Sequence, residues 1–421
     1  MQEKQINFDY GKNLKRRAKM KYIVILGDGM ADYPAESLGG KTPLSVANKP
    51  MIDRLAKAGE VGLVKTVPEG LAPGSDVANL GVLGYDAREC YTGRSPLEAL
   101  SMGVTLSPTD LGIRTNLVTL SDADNFEDKI MVDYSAGEIS TEEASALIDA
   151  VKEALVDEGV ALYSGISYRH LTVVSDGAKI CDKITFSPPH GFTGKRVGDH
   201  LPKGALEDKF TAILKRSHEV LKNHPINQKR VLSGQNPANN LWFWGQGTAP
   251  ALDSFKSKYG VDGAIISAVD LLKGIAVGTQ MTAPTVDGAT GNLHTNFEGK
   301  ALEALRLLDT HDFVFVHVEA PDECGHQKDV EGKIKAIELI DQRVLTPIVE
   351  GLDGKCDYRI MVLPDHPTPL SIGTHTSEPV PYLIYDSRVQ KAGSSYDEDS
   401  ASRTGNFFEY PWQLTSYFLE K

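Results

Sequence analysis

Short runs of apolar, largely β-branched residues recur along this chain, and amphipathic helical patterns fill the gaps between them. "KYIVIL" (21–26), "GAIIS" (263–267), "DFVFVHV" (312–318) and "YRIMVLP" (358–364) alternate little between apolar and polar residues. Strands of that kind are covered on both faces, as in a parallel sheet sandwiched between helices. "VGLVKTV" (61–67), "IRTNLVTL" (113–120), "LTVVS" (171–175) and residues 380–385 read as further strands. Between them lie helical patterns. "STEEASALIDAVKEALVDEG" (140–159) opens with a Ser/Thr cap and places Glu142 and Glu143 at the positive end of its dipole. "VEGKIKAIELIDQRVLTPIVEGL" (330–352) reads as one helix between the last two core strands. Such alternation predicts a largely parallel α/β sheet with right-handed crossovers. Residues 182–204 and 233–250 read as long irregular stretches, which in compact domains are often functional.

Composition narrows the function classes. The 421 residues are 41% hydrophobic and 24% charged, which suits one large or two ordinary globular domains. A formal net charge of −13 argues against nucleic acid or an anionic membrane as partner. Cys90, Cys181, Cys324 and Cys356 are widely separated and form no CxxC pair, so a reducing, cytoplasmic setting is expected. No apolar run approaches the roughly 20 residues that span a bilayer. Residues 1–19 are polar and basic, lack the apolar core of a signal peptide, and read as a dispensable solvated extension before a natural start at Met20.

Ligands of open α/β sheets sit beyond the carboxyl ends of the strands. Four segments deliver metal-type side chains there: Asp28 after the first strand, Ser75 at a probable helix start, Asp322 and His326 after "FVFVHV", and Asp365, His366 and His375 around "LPDHPTPLSIGTH". Singly, each has a plainer explanation: a turn acid, a helix N-cap, a loop acid with a surface histidine. Together, three strand ends supply acids and two of those add histidines. The i,i+4 spacing of Asp322 and His326 aims both at one site if a helix begins there. Mixed Asp and His ligation suits zinc, manganese or cobalt. Two other motifs fail on inspection. "GDGMAD" has Asp32 where a dinucleotide fingerprint needs its third glycine, and "AESLGGKT" has Ala35 at the first glycine of a phosphate loop. Trp242 and Trp244 lack flanking basic residues and read as packing at a domain junction.

Taken together, "ILGDGMADYP", "APGSDVANLGVLGYD", "TGRSPLEALSMGV", "ISYRHL", "LWFWGQG", "VDGATGN", "HVEAPDECGHQKD", "KIKAIELIDQ" and "LPDHPTP…GTHTSEPVP" carry a family resemblance. Over residues 20–420 the chain resembles the cofactor-independent phosphoglycerate mutases of the archaeal type, in the alkaline phosphatase superfamily. The resemblance implies an alkaline-phosphatase-like, mostly parallel core from residues 20–95 and 240–421. A smaller α/β lid domain, residues 96–239, would be inserted into it, with hinges near 92–106 and 236–250. It implies two divalent metal ions, one held by Asp322, His326 and His375, the other by Asp28, Ser75, Asp365 and His366. Ser75 would be the nucleophile, passing a phosphoryl group between the two hydroxyls of glycerate in glycolysis or gluconeogenesis. Neither a nucleotide nor added 2,3-bisphosphoglycerate would be needed. Arg114, Arg169, His170 and His190, with Lys273 from the core, would hold a small phosphorylated hydroxy acid. Gly191 stands where family members often have Asp. The same residues would serve two rival activities, a homoserine kinase-like phosphotransferase and a metal-dependent phosphatase. A monomer or small homo-oligomer is expected.

Overall fold

In the computed structural model of the protein, residues 20–156 and 159–420 are described. The expected extension, residues 1–19, lies outside them. In chain order the strands are β1 (Lys21–Gly27), β2 (Glu60–Val64), β3 (Leu111–Leu120), β4 (Met131–Asp133), β5 (Val160–Tyr163), β6 (Arg169–Val174) and β7 (Ile184–Thr185). Then come β8 (Lys203–Gly204), β9 (Asn240–Thr248), β10 (Gly263–Ile266), β11 (Phe313–Val318), β12 (Tyr358–Leu363), β13 (Val380–Asp386) and β14 (Phe407–Phe408).

A seven-stranded sheet runs in the order β10-β11-β1-β12-β13-β2-β14, and only β13 is antiparallel to the rest. Its two faces follow the period of two of the strands. Ile23 and Ile25 of β1 pack with Ile360, Val314 and the helices Phe297–Leu308 and Val330–Leu339. Val24 and Leu26 pack on the opposite face with Met361, Phe315 and the helices Ser75–Val82, Asp270–Gly278 and Pro411–Leu419. Burial on both sides explains why these strands read as unbroken apolar runs. The helix expected over 330–352 is continuous but widens into a π-helical segment at Ile340–Leu345.

The second sheet is antiparallel. Strand β3, buried along its whole length, pairs with β4, β6 and β9, and β5 extends the sheet beyond β6. The helices Thr141–Ala154 and Glu207–Leu221 supply its core with Leu147, Ile148, Phe210 and Ile213. Strand β9 corrects the reading of 233–250 as irregular. It also moves the chain's return to the first sheet from the expected 239/240 junction to a point after Thr248. The strand was disguised by Gly245 and Gly247. A Cβ on Gly247 would lie 2.4 Å from the Thr92 carbonyl oxygen, and one on Gly93 would lie 2.4 Å from that of Gln246. The outgoing and returning passages cross there with no room for a side chain, so packing demands Gly93 and Gly247, while a φ of +60° accounts for Gly245.

Candidate active site

Each of the four segments ends at the same edge of the seven-stranded sheet. Asp28 follows β1, and Gly29 after it adopts a φ of +58°. A Cβ at Gly29 would come within 2.5 Å of both Asp322 Oδ1 and Thr368 Oγ1, so glycine lets the backbone lie against the neighbouring ligand segment. The Gly29 N–H donates to Asp365 Oδ1 at 3.1 Å. Ser75 is the first residue of the helix Ser75–Val82, whose N-cap is Gly74. The serine is therefore not the cap. Its hydroxyl points into the site, 3.3 Å from Asp28 Oδ2 and 3.3 Å from His366 Nε2.

A helix does begin after β11, spanning Ala320–His326, and puts Asp322 and His326 one turn apart. His326 Nε2 is 3.1 Å from Asp322 Oδ2, and His375 Nε2 is 3.4 Å from Asp322 Oδ1. The two Nε2 atoms lie 3.1 Å from each other. His366 bridges to the second group: its ring lies over His375 at 4.0 Å between centroids, and its Nε2 is 3.5 Å from Asp365 Oδ2. Among the described residues, donor atoms close enough to share an ion occur in two adjacent groups, Asp322–His366–His375 and Asp28–His317–Asp365.

The electrostatics fit cations. Asp28, Asp322 and Asp365 are buried together. Burial first, then the charges of Asp365 and Asp322, hold the Asp28 carboxyl well above its usual range. Among the described residues its buried Oδ1 has no hydrogen-bond partner, and His366 Nε2 stands 3.6 Å from it. Against its own burial, Asp322 is held well below the usual range by hydrogen bonds from His326 and His375. A buried orphan carboxylate oxygen beside closely spaced imidazole nitrogens is a donor set that a divalent ion satisfies.

A cavity of about 710 Å³ opens between the two sheets, lined among others by Arg94, Glu98, Arg114, Arg169, His170 and Glu319. Glu98 Oε1 accepts from Arg94 Nε at 2.8 Å and from Arg114 Nη1 at 3.0 Å. Arg114 also lies 4.3 Å over the Trp244 ring, and its Nε is buried without a partner. Burial lowers Arg114 to about 10. Arg169 starts β6 and is exposed to the cavity. His170 Nδ1 accepts from the Gly165 N–H at 3.1 Å, and burial lowers its pKa to about 3. Glu319 is raised to about 7 by burial, then by Glu323 and Asp322. Two expected substrate residues stand apart from the cavity lining. His190 meets Trp244 and Tyr134 edge-on, and Lys273 pairs with Asp270 at 3.4 Å.

Several site residues carried no such signal in the sequence. Arg94 and Glu98 have the i,i+4 spacing of an ordinary surface pair. Asn79 Nδ2 donates to the Ser75 carbonyl and to Asp365 Oδ2, at 2.8 and 2.9 Å. His317 reads as part of a core strand, yet its Nε2 is 3.0 Å from Asp28 Oδ2.

The chain is similar to known proteins over nearly its whole length. The model of the 2,3-bisphosphoglycerate-independent phosphoglycerate mutase family matches residues 56–227. A probable 2,3-bisphosphoglycerate-independent phosphoglycerate mutase of Geobacter sulfurreducens is 48% identical over 404 residues, covering 96% of this chain and all of the relative. The 2,3-bisphosphoglycerate-independent phosphoglycerate mutase of Methanosarcina acetivorans is 50% identical, covering 90% of this chain and 95% of the relative. Among solved structures, a Pyrococcus horikoshii protein aligns with a TM-score of 0.77 at 30% identity, covering 96% of this chain and 99% of the other. The cofactor-independent phosphoglycerate mutase of Thermoplasma acidophilum aligns at 0.63 and 27% identity, with 95% and 99% covered. With near-complete coverage by relatives of about half identity, the chain belongs to the family of 2,3-bisphosphoglycerate-independent phosphoglycerate mutases.

Proposed function

We propose that this protein interconverts 3-phosphoglycerate and 2-phosphoglycerate through a phosphoserine at Ser75. The observation that carries the reading is the placement of Ser75 Oγ, 3.3 Å from both Asp28 and His366. That oxygen also sits at a helix N-terminus, whose unpaired N–H groups favour a phosphoryl group.

Asp322, His326 and His375 would hold one divalent ion, and Asp28, Ser75, Asp365 and His366 the other. Manganese, cobalt or zinc bound there supplies Lewis acidity and positive charge for phosphoryl transfer. The chain's own residues do the rest. Arg94, Arg114 and Arg169 grip the carboxylate or the phosphate of the substrate, and guanidinium forks suit both. Ser75 Oγ forms a bond to phosphorus as the substrate's C–O–P oxygen leaves. The proton lost from the serine hydroxyl equals the one the departing glycerate oxygen gains. Glycerate turns within the cavity, its other hydroxyl takes the phosphoryl group, and Ser75 recovers its proton. Water must stay out during the turn, or hydrolysis replaces isomerisation. The unit built on β3–β9 would close over the site, with the crossing at Gly93 and Gly247 as its hinge. His190 and Lys273 would reach substrate only on such closure. In this reading the protein works in the cytoplasm on a small phosphorylated hydroxy acid, without a nucleotide, as a monomer or small homo-oligomer.

The test is a coupled enolase assay on purified, manganese-loaded protein, run beside homoserine plus ATP. Turnover of 3-phosphoglycerate without added 2,3-bisphosphoglycerate is expected. Turnover of homoserine alone would replace this reading with the phosphotransferase.

A further inference from the structure

His317 is fully buried at the end of β11. Its two ring nitrogens have one partner each: Nε2 faces Asp28 Oδ2 at 3.0 Å, and Nδ1 faces Ser267 Oγ at 3.1 Å. The tautomer follows from counting protons. Ser267 Oγ already accepts from the Val269 N–H at 3.0 Å, and among the described residues the acceptor beside its hydroxyl is His317 Nδ1. With that lone pair engaged, the imidazole proton lies on Nε2 and points at Asp28. The backbone holds the ring in place from the other side, because the buried ammonium of Lys300 donates to the His317 carbonyl at 2.8 Å. Asp28 is thereby divided. Its Oδ2 is tied by His317 and faces the Ser75 hydroxyl at 3.3 Å, whereas its Oδ1 is buried with no hydrogen-bond partner among the described residues and stands 3.6 Å from His366 Nε2.

We propose that His317 is a positioning residue for Asp28, fixing one carboxylate oxygen so that the other is presented to a divalent ion. The inference rests on reading Asp28 as a metal ligand. The alternative, His317 as a ligand itself, would need Nδ1–H donating to Ser267, which leaves the serine proton with no acceptor in this buried place. Hydrogen-bonded partners of this kind typically set metal affinity by about 10- to 100-fold.

The test titrates manganese into purified metal-free full-length protein and records the visible spectrum of the cobalt-loaded form. Wild type, His317→Leu, His317→Gln and Ser267→Ala are compared. Glutamine puts an N–H the same number of bonds from Cα as imidazole Nε2. Wild type should bind two ions. His317→Leu should weaken one of them by about 10- to 100-fold, and His317→Gln should restore it to within about threefold. The cobalt spectrum of His317→Gln should match wild type, because the ligand set is unchanged. If leucine prevents folding, Ser267→Ala keeps the question open to measurement, with a loss of about three- to tenfold expected. Unaltered affinity in His317→Leu, or in Ser267→Ala where leucine does not fold, would refute the positioning role. A glutamine variant that loses the ion and changes the cobalt spectrum would make His317 a ligand instead. Wild type that binds no metal would refute the metal reading itself, a different failure.

Discussion

Ser75 Oγ and His366 Nε2 stand 3.3 Å apart although 291 residues separate them in the chain. The first belongs to a helix N-terminus on one face of the sheet, the second to the tip of the central strand β12. Their meeting joins the proposed nucleophile to the side chains proposed to hold metal.

Asp322 is the residue that both His326 and His375 face, so its charge organises one of the two groups. Asp322→Asn should lose one bound ion and most turnover, with little change in melting temperature. Metal content after gel filtration checks this. Chelation should abolish activity, and manganese, cobalt or zinc should restore it in wild type but not in the variant.

Arg114 links the cavity to Glu98 and Trp244. Arg114→Lys keeps the charge and loses the planar fork. A charge-assisted hydrogen bond contributes about 1.5–3 kcal/mol, so kcat/KM should fall by about 10- to 100-fold. Steady-state kinetics checks whether the loss is mainly in KM, as it is when substrate binding and not chemistry is damaged.

Lys333 is a buried ammonium that donates to Asp32 Oδ2 at 2.6 Å and to the Ala31 and Thr368 carbonyls. It ties the loop after Asp28 to the loop after His366. Lys333→Met would strand the Asp32 carboxylate, at a cost of about 3–5 kcal/mol. Urea denaturation measures it, and replacing Asp32 as well should recover part of the loss.

Asp386 is pushed up by burial but held below its ordinary value by Arg388 and Arg359. A carboxyl depressed in the folded state contributes stability above its unfolded pKa of about 3.9, and that contribution is lost as pH falls through the folded value. Asp386→Asn should therefore melt lower than wild type at pH 7, and the difference should shrink progressively below about pH 4. A difference that stays constant down to pH 2 would contradict the assignment.

That Asp28, Asp322 and Asp365 would come together could be expected from their places in the sequence: two lie within two residues of a strand end, and Asp322 lies in the helix that follows β11. His317 was hidden for the opposite reason: inside "FVFVHV" nothing separates a functional imidazole from a filled core position. Arg94 and Glu98 were hidden because an i,i+4 pair is ordinary on any helix, and only β3 brings Arg114 to the same carboxylate. Strand β9 escaped because Gly247 answers to the chain crossing at Thr92–Gly93, a tertiary contact with no local mark, and Gly245 to a backbone φ of +60° inside the strand. The parallel core followed from its apolar runs, whereas the antiparallel second sheet depends on pairings between distant segments.

Ser75 is the residue proposed to carry the phosphoryl group. The helix it begins is capped by Gly74, so Ser75→Ala should cost well under about 1 kcal/mol of stability, the usual value of a lost N-cap. The direct measurement is mass spectrometry of manganese-loaded wild type, acid-quenched after mixing with 3-phosphoglycerate. A peptide with one added phosphoryl group on Ser75 is expected, absent from Ser75→Ala, whose isomerase activity should have collapsed. A Ser75→Ala protein that isomerises phosphoglycerate at the wild-type rate would contradict it.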